Sequence, residues 1–482
     1  MRRAVLVLAL LALLRPGASA RAQDQGMAPP PSDPRALSYP PLAISFPKPE
    51  KLFLPNGLLI YLFEDHELPL LDLAFYVKAG SIYDPADRIG LAEMGALMMR
   101  TGGTSDMSPD EVDQALESMP ARVGFDAGSD ALSGSLSTLK AKFPEALAIV
   151  SGMLRAPRFD AGRLDLEKAR VIEEIRRRWD DPEEIAELNF RLLVYGGSSP
   201  WARLSTAATI GRIGRQELAD FHARYLRPNN MVVGVAGDFE PGAMKKLLRD
   251  TFGTWKNAKV TPPQVAKVED AIPAGIHLVD RPISQSSIEI GHLGVNRFDP
   301  DKFPLKILSY ILGEGGFDSR LVREVRSTRG LAYSIGGGVG LDSDRGLFQI
   351  ACRTKAGSTV EAIQLIRDIL KQIREAGPTE EEVRQAKEAS INSFVFSVDG
   401  TVPFMHAFLF YDFYQFPPDY LQTYRDNLAK VTRDQVAHAA RKHIDPDRLV
   451  VLVVGNHKEF DRPLASLGLG DTRMVRLEDG VR

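Results

Sequence analysis

The chain has 482 residues, more than one compact core accommodates, and length alone suggests two to four domains. Charged residues make up 26% and the apolar set 44%, the balance of an ordinary soluble globular protein. Its 63 acidic and 60 basic residues nearly cancel to a net charge of -3, and no basic stripe stands out, which argues against a nucleic-acid partner.

Met1-Arg2-Arg3 followed by an unbroken apolar run from Ala4 to Leu14 has the layout of a cleaved secretory signal. Small residues at Ala18-Ser19-Ala20, and again at Ala20-Arg21-Ala22, offer the cleavage site, so residues 1–22 are read as a signal peptide. The apolar run is too short to remain as a membrane helix, and no later segment reaches spanning length without charges. The expectation is an exported protein, periplasmic in a bacterium, with no membrane span. The sole cysteine, Cys352, sits in a strand-like run and reads as a buried, inert thiol, with no partner for a disulfide and no thiolate metal cluster.

Residues 23–50 are proline-rich and read as an extended lead-in. Asn56-Gly57, set between Lys51–Leu54 and Leu58–Tyr61, signals a tight hairpin. A longer strand is expected from Leu71 to Val77 and a helix from near Gly90. The most informative pattern is an internal repeat. Arg215–Asp238 and Arg433–Asn456 align without a gap at an offset of 218 residues, each a helix, a proline (Pro228, Pro446), then a β-branched strand closing on glycine (Gly237, Gly455). Duplication is the simplest cause. The expected layout is one lobe over 51–256, a linker over 257–275 carrying Pro262-Pro263, a second lobe over 276–460, and a tail over 461–482.

Residues 90–104, GLAEMGALMMRTGGT, resemble the signature of the pitrilysin/insulinase zinc peptidases, Gly-Leu-Ala-His-x-x-Glu-His on a helix. In such a helix two histidines four apart ligate zinc from one face, and the glutamate between them is the general base. Gly90, Leu91 and Ala92 match. The histidine positions hold Glu93 and Leu97, and the base position holds Ala96. By resemblance Glu174 occupies the place of the third ligand, and Glu167, two turns earlier, that of its supporting carboxylate. Leucine cannot ligate and alanine cannot take a proton. The eight histidines include no pair three or four apart, and Leu91, Met94, Leu97 and Met98 make an apolar stripe, so this helix is expected simply to pack. The chain is therefore expected to bind no zinc of its own. A harder cation on Glu93, Glu167 and Glu174 is a weaker reading than salt bridges to Arg170 and Arg176.

The second half keeps what the first has lost. Residues 311–335, ILGEGGFDSRLVREVRSTRGLAYSI, look like the family's C-terminal-lobe signature, with a glycine-rich turn (Gly313, Gly315, Gly316), Ser319-Arg320-Leu321, Arg326, and Gly330-Leu331-Ala332-Tyr333 entering a strand. The resemblance implies that Arg326 and Tyr333 face a zinc site across a chamber, the guanidinium holding substrate backbone and the phenol donating to the developing oxyanion. Gly313, Gly315, Gly316, Ser319 and Arg320 would form the substrate loop. It also implies the fold, α+β, with two homologous α/β-roll lobes of mainly antiparallel sheet backed by helices, closing like a clam.

Some members of that family pair a zinc-bearing subunit with one lacking zinc. The leading expectation is thus a non-catalytic subunit of a heterodimeric periplasmic zinc endopeptidase, with zinc in the partner and Arg326 and Tyr333 acting in trans on a peptide or unfolded polypeptide. The alternative is a peptide-binding or scaffold protein with no part in catalysis.

Overall fold

The turn at Asn56-Gly57 forms as its residues dictate: Gly57 N–H donates to Leu54 O and Leu54 N–H to Leu58 O, both at 2.9 Å. The Asn56 amide points inward and donates to the carbonyls of Phe252 and Trp255 at 2.8 and 2.9 Å, tying the hairpin to the far end of its lobe. The structure, a computed structural model, describes residues 46–268 and 274–477. The expected signal peptide and most of the proline-rich lead-in lie outside the described residues.

Lobe 1 runs β1 (Glu50–Phe53), β2 (Leu59–Glu64), β3 (Leu70–Val77), α1 (Leu91–Thr101), α2 (Pro109–Glu117), β4 (Arg122–Ala127), β5 (Leu132–Leu139), α3 (Phe143–Arg155), α4 (Ala161–Arg177), α5 (Pro182–Tyr195), α6 (Ala207–Gly211), α7 (Arg215–Tyr225), β6 (Met231–Gly237) and α8 (Pro241–Phe252). Lobe 2 runs β7 (Gly275–Asp280), β8 (Gln285–Leu293), β9 (Val295–Asn296), α9 (Lys302–Ser309), β10 (Ala332–Val339), β11 (Leu341–Asp342), β12 (Leu347–Lys355), α10 (Thr359–Ala376), α11 (Glu380–Ser397), α12 (Thr401–Phe413), α13 (Tyr420–Ala429), α14 (Arg433–His443), β13 (Val450–Gly455) and β14 (Thr472–Met474).

Each lobe carries a six-stranded sheet, in the orders β1-β2-β6-β3-β5-β4 and β14-β7-β13-β8-β12-β10. Strand for strand, the pairings correspond. The centre is parallel in both (β2 with β6, β7 with β13), and the remaining pairs out to the edges β4 and β10 are antiparallel. The repeat read from sequence is thus α7 leading into β6 and α14 leading into β13, the central strands of the two sheets. The lobes differ at the other edge. β1 precedes its sheet and lies antiparallel to β2, whereas β14 arrives from the chain's last residues and lies parallel to β7. The stretch expected to be a tail therefore completes sheet 2, and Leu464 and Leu467 are buried in its core.

The lobes exchange one helix each. α5 of lobe 1 lies on sheet 2, packing Ile185, Phe190 and Val194 against Leu452, Val454 and Val279. α12 of lobe 2 lies on sheet 1, packing Phe404, Met405 and Leu409 against Tyr61, Phe63 and Val232. α12 is apolar nearly all round, the composition of a helix buried on more than one side. Among the described residues no single helix is long and apolar enough to cross a membrane. Polar contacts add to the seam: Tyr61 Oη donates to Asp412 and Tyr414 Oη to Asp130, each at 2.8 Å, and Ser343 Oγ also donates to Asp130.

Candidate functional site

α1 begins at Gly90 because a buried carboxylate gathers its first amides. Asp84 Oδ2 accepts from Gly90 and Leu91 N–H at 2.8 and 3.0 Å, and Oδ1 accepts from Ala92 N–H at 3.0 Å. Burial pushes the Asp84 carboxyl up to about 7, against the opposing pull of those N–H groups. Downstream, Leu91, Met94, Ala96 and Met98 are buried and Leu97 is packed against the lobe core. The expected packing helix is what forms. Glu93 faces out into a recess crowded by protein. Loss of hydration raises its pKa, the Arg178 guanidinium pulls it back down, and the Asp126 charge adds to the rise.

A zinc ion does not fit this helix. Ala96 is 2% exposed and apolar, and Leu97 offers no lone pair. The retained carboxylates are already engaged. Glu167 is buried and accepts from Arg170 Nε at 2.8 Å, and Glu174, exposed, accepts from Arg170 Nη1 at 2.6 Å. Arg176 instead faces Glu173, at 3.7 Å. Glu93, Glu167 and Glu174 do not gather into a ligand set. Among the described residues the group whose acidic and histidine ligand atoms lie within 4.8 Å of one another is Asp299, Asp301 and His443, in lobe 2. There Lys442 Nζ stands 2.7 Å from Asp301 Oδ2, so that cluster already holds a cation.

The second signature builds a loop and an open strand edge. A π-helical turn over Tyr310–Glu314 leads into Gly315–Asp318, and a second one over Val322–Thr328 leads out. Such turns are rare and concentrate at functional sites. Gly313 is required because a side chain there would strike the Gly337 backbone of β10, and Gly316 because its φ is +58°. Ser319 and Arg320, expected in the substrate loop, do not reach its surface. Ser319 is buried and donates to Gly316 O at 2.7 Å. Arg320 is buried and forks onto Glu382 with two bonds of 2.7 Å, reaching Gly377 O as well. These two residues hold the loop; an arginine facing a carboxylate on α11 is drawn in rather than out.

Arg326 and Tyr333 are on the outside. Arg326 leaves the second π-helical turn exposed, and its guanidinium sits 5.4 Å from the centre of the Phe317 ring. Tyr333 is 46% exposed at the head of β10. Ala332 opposes Thr354 and Ser334 opposes Arg353, so Tyr333 is the extra residue of a β-bulge, a device that re-aims a side chain. β10 pairs only with β12, which leaves its other edge open to a further strand.

Sequence reading missed two features. Phe317, inside the quoted signature, is 72% exposed. Glu289 on β8 is buried beneath α5, accepting from Gln349 Nε2 at 3.0 Å. Burial, reinforced by Glu187 and Glu183 on α5, pushes Glu289 up to about 8 although the Gln349 bond opposes it. An acid in an alternating strand carries no signal of which helix will cover it. Cys352 is buried as expected, its thiol pushed up to about 12 by loss of hydration.

Comparison with known proteins agrees with this geometry. Residues 62–195 match the family model described as insulinase (peptidase family M16), and residues 212–390 match the one described as the peptidase M16 inactive domain, together more than half of the chain. An uncharacterized zinc protease of Mycobacterium leprae is 26% identical over 73% of this chain and 79% of its own length. A protein of Helicobacter pylori called a non-peptidase homolog is 22% identical over 82% of this chain and 91% of its own. Among solved structures, a peptidase M16 inactive domain from Pseudomonas fluorescens superposes with a TM-score of 0.79 at 26% identity, covering 86% of this chain and all of that one. By its models, its fold and its erased ligand positions, the chain belongs to the insulinase family of peptidases, peptidase family M16, as a member of the inactive type.

Proposed function

We propose that this chain is the non-catalytic subunit of an exported, two-chain zinc endopeptidase, periplasmic in a bacterium. The observation that carries the reading is an asymmetry. Lobe 1 has Ala96 and Leu97 where a base and a ligand would stand, while lobe 2 presents Arg326 and Tyr333 exposed beside the open edge of β10. A peptide added to a free strand edge is held by its backbone, a mode that tolerates many sequences. Tyr333 would then donate to a carbonyl polarised by the partner's zinc, and Arg326 would fix the register. Co-expression with a zinc-bearing paralogue followed by a peptide-cleavage assay tests this. Replacing Arg326 by Ala together with Tyr333 by Phe should lower kcat/KM by about a hundredfold or more. Full activity in that double variant would sink the proposal.

A second reading, peptide binding or scaffolding with no catalysis, is favoured by the Helicobacter pylori relative being called a non-peptidase homolog. It predicts that no zinc-bearing paralogue gains activity from this chain.

A further inference from the structure

Of the large apolar side chains given as exposed, Phe317 is the most exposed, at 72%. It stands at the top of the Gly316–Asp318 turn, next to Gly316, whose own surface is also open. The loop beneath is held from inside by Ser319 and by the Arg320–Glu382 fork, so the ring is presented by an anchored support. An aromatic ring kept in water on an anchored turn is a cost that burial against a ligand removes.

The Arg326 guanidinium lies 5.4 Å from the centre of this ring, and no carboxylate pairs with it. Stacking fixes the guanidinium while leaving its N–H fork free to meet carbonyl oxygens. The ring and the guanidinium are therefore one unit with two surfaces, one apolar and one donating, and the open edge of β10 begins at the end of the same signature.

We propose that Phe317 is the specificity residue of this chain. It forms an apolar shelf that selects extended peptides carrying a bulky aliphatic or aromatic side chain beside the residue whose backbone Arg326 holds. The inference rests on the peptide-binding reading above and deepens it by naming the substrate class. Backbone pairing on β10 supplies sequence-independent affinity, and Phe317 adds the preference. Because the ring makes its contact outside the lobe core, its removal leaves the fold in place.

The test uses the full chain alone, with fluorescence anisotropy of short labelled peptides that differ at one central position (Phe, Leu or Ser). The wild type should bind the Phe and Leu peptides about tenfold more tightly than the Ser peptide. Phe317→Ala should erase that difference while leaving the Ser peptide's affinity unchanged, and Phe317→Leu should restore most of it. If Phe317→Ala keeps the tenfold preference, the inference fails and the peptide-binding reading stands. If Phe317→Ala only weakens co-purification with a zinc subunit, the ring is an interface residue and the inference also fails. If the wild type binds none of the peptides, the inference fails. If, in addition, the Arg326→Ala, Tyr333→Phe double variant cleaves normally with its partner, the underlying reading fails too.

Discussion

Arg320 shows how a residue in a functional signature can act entirely from within. Its fork onto Glu382 is largely shielded from water, and the cap that begins α11 uses the same glutamate, through Thr379. Removing one partner of a buried pair leaves the other charge unsatisfied, which costs about 3–5 kcal/mol. Arg320→Ala is therefore expected to lower urea-measured stability by that order; a change under about 1 kcal/mol would mean the pair is a surface ornament. Glu289 makes a pH prediction. Its folded pKa, about 8, is raised above the unfolded value, so the stability present in acid is lost as pH climbs from about 4.3 through 8. Glu289→Gln should match the wild type near pH 4 and become progressively more stable above it, by a few kcal/mol once pH 8 is passed. Parallel stability curves across that range would show that Glu289 keeps an ordinary carboxyl.

At the level of elements, the two exchanged helices decide how the halves are joined. Phe404 on α12 is buried against Phe63 of sheet 1, with ring centres 5.9 Å apart. Truncating it should cost about 3–5 kcal/mol, and the loss should appear in both lobes, since the helix belongs to one and covers the other. Hydrogen exchange would check this: faster exchange confined to lobe 2 would contradict it. Much at this scale was legible. The hairpin at Asn56-Gly57, the packing helix after Gly90 and the α7–β6 and α14–β13 repeat follow from local rules of turn chemistry, periodicity and self-similarity. The partner of each exchanged helix was not legible, because α5 and α12 show an apolar surface but not which sheet it meets. Nor was the inward turn of Arg320, which is set by Glu382, 62 residues away in the chain. The bulge at Tyr333 is a matter of register between strands, which no single strand reveals.

As a whole molecule, the chain is a duplication whose halves have diverged in chemistry and remained locked in structure. Lobe 1 alone would leave Tyr61, Phe63 and Val232 uncovered, and lobe 2 alone would do the same to Leu452 and Val454. Residues 46–256 expressed by themselves should therefore bind a hydrophobic dye and associate, while the intact chain should unfold in one transition. A monomeric, cooperatively folded fragment would overturn that view.

The same exchange sets an order of events during synthesis. α5 ends at Tyr195, yet the central strand it covers, β13, begins at Val450, so about 250 residues must follow before that helix has its surface. Through that interval the growing chain carries an apolar helix with nowhere to rest. A ribosome that stops early releases an adhesive fragment rather than half of a working protein. Translation speed across the second half, and holdases that shield the first, should therefore govern yield more than the stability of the finished fold.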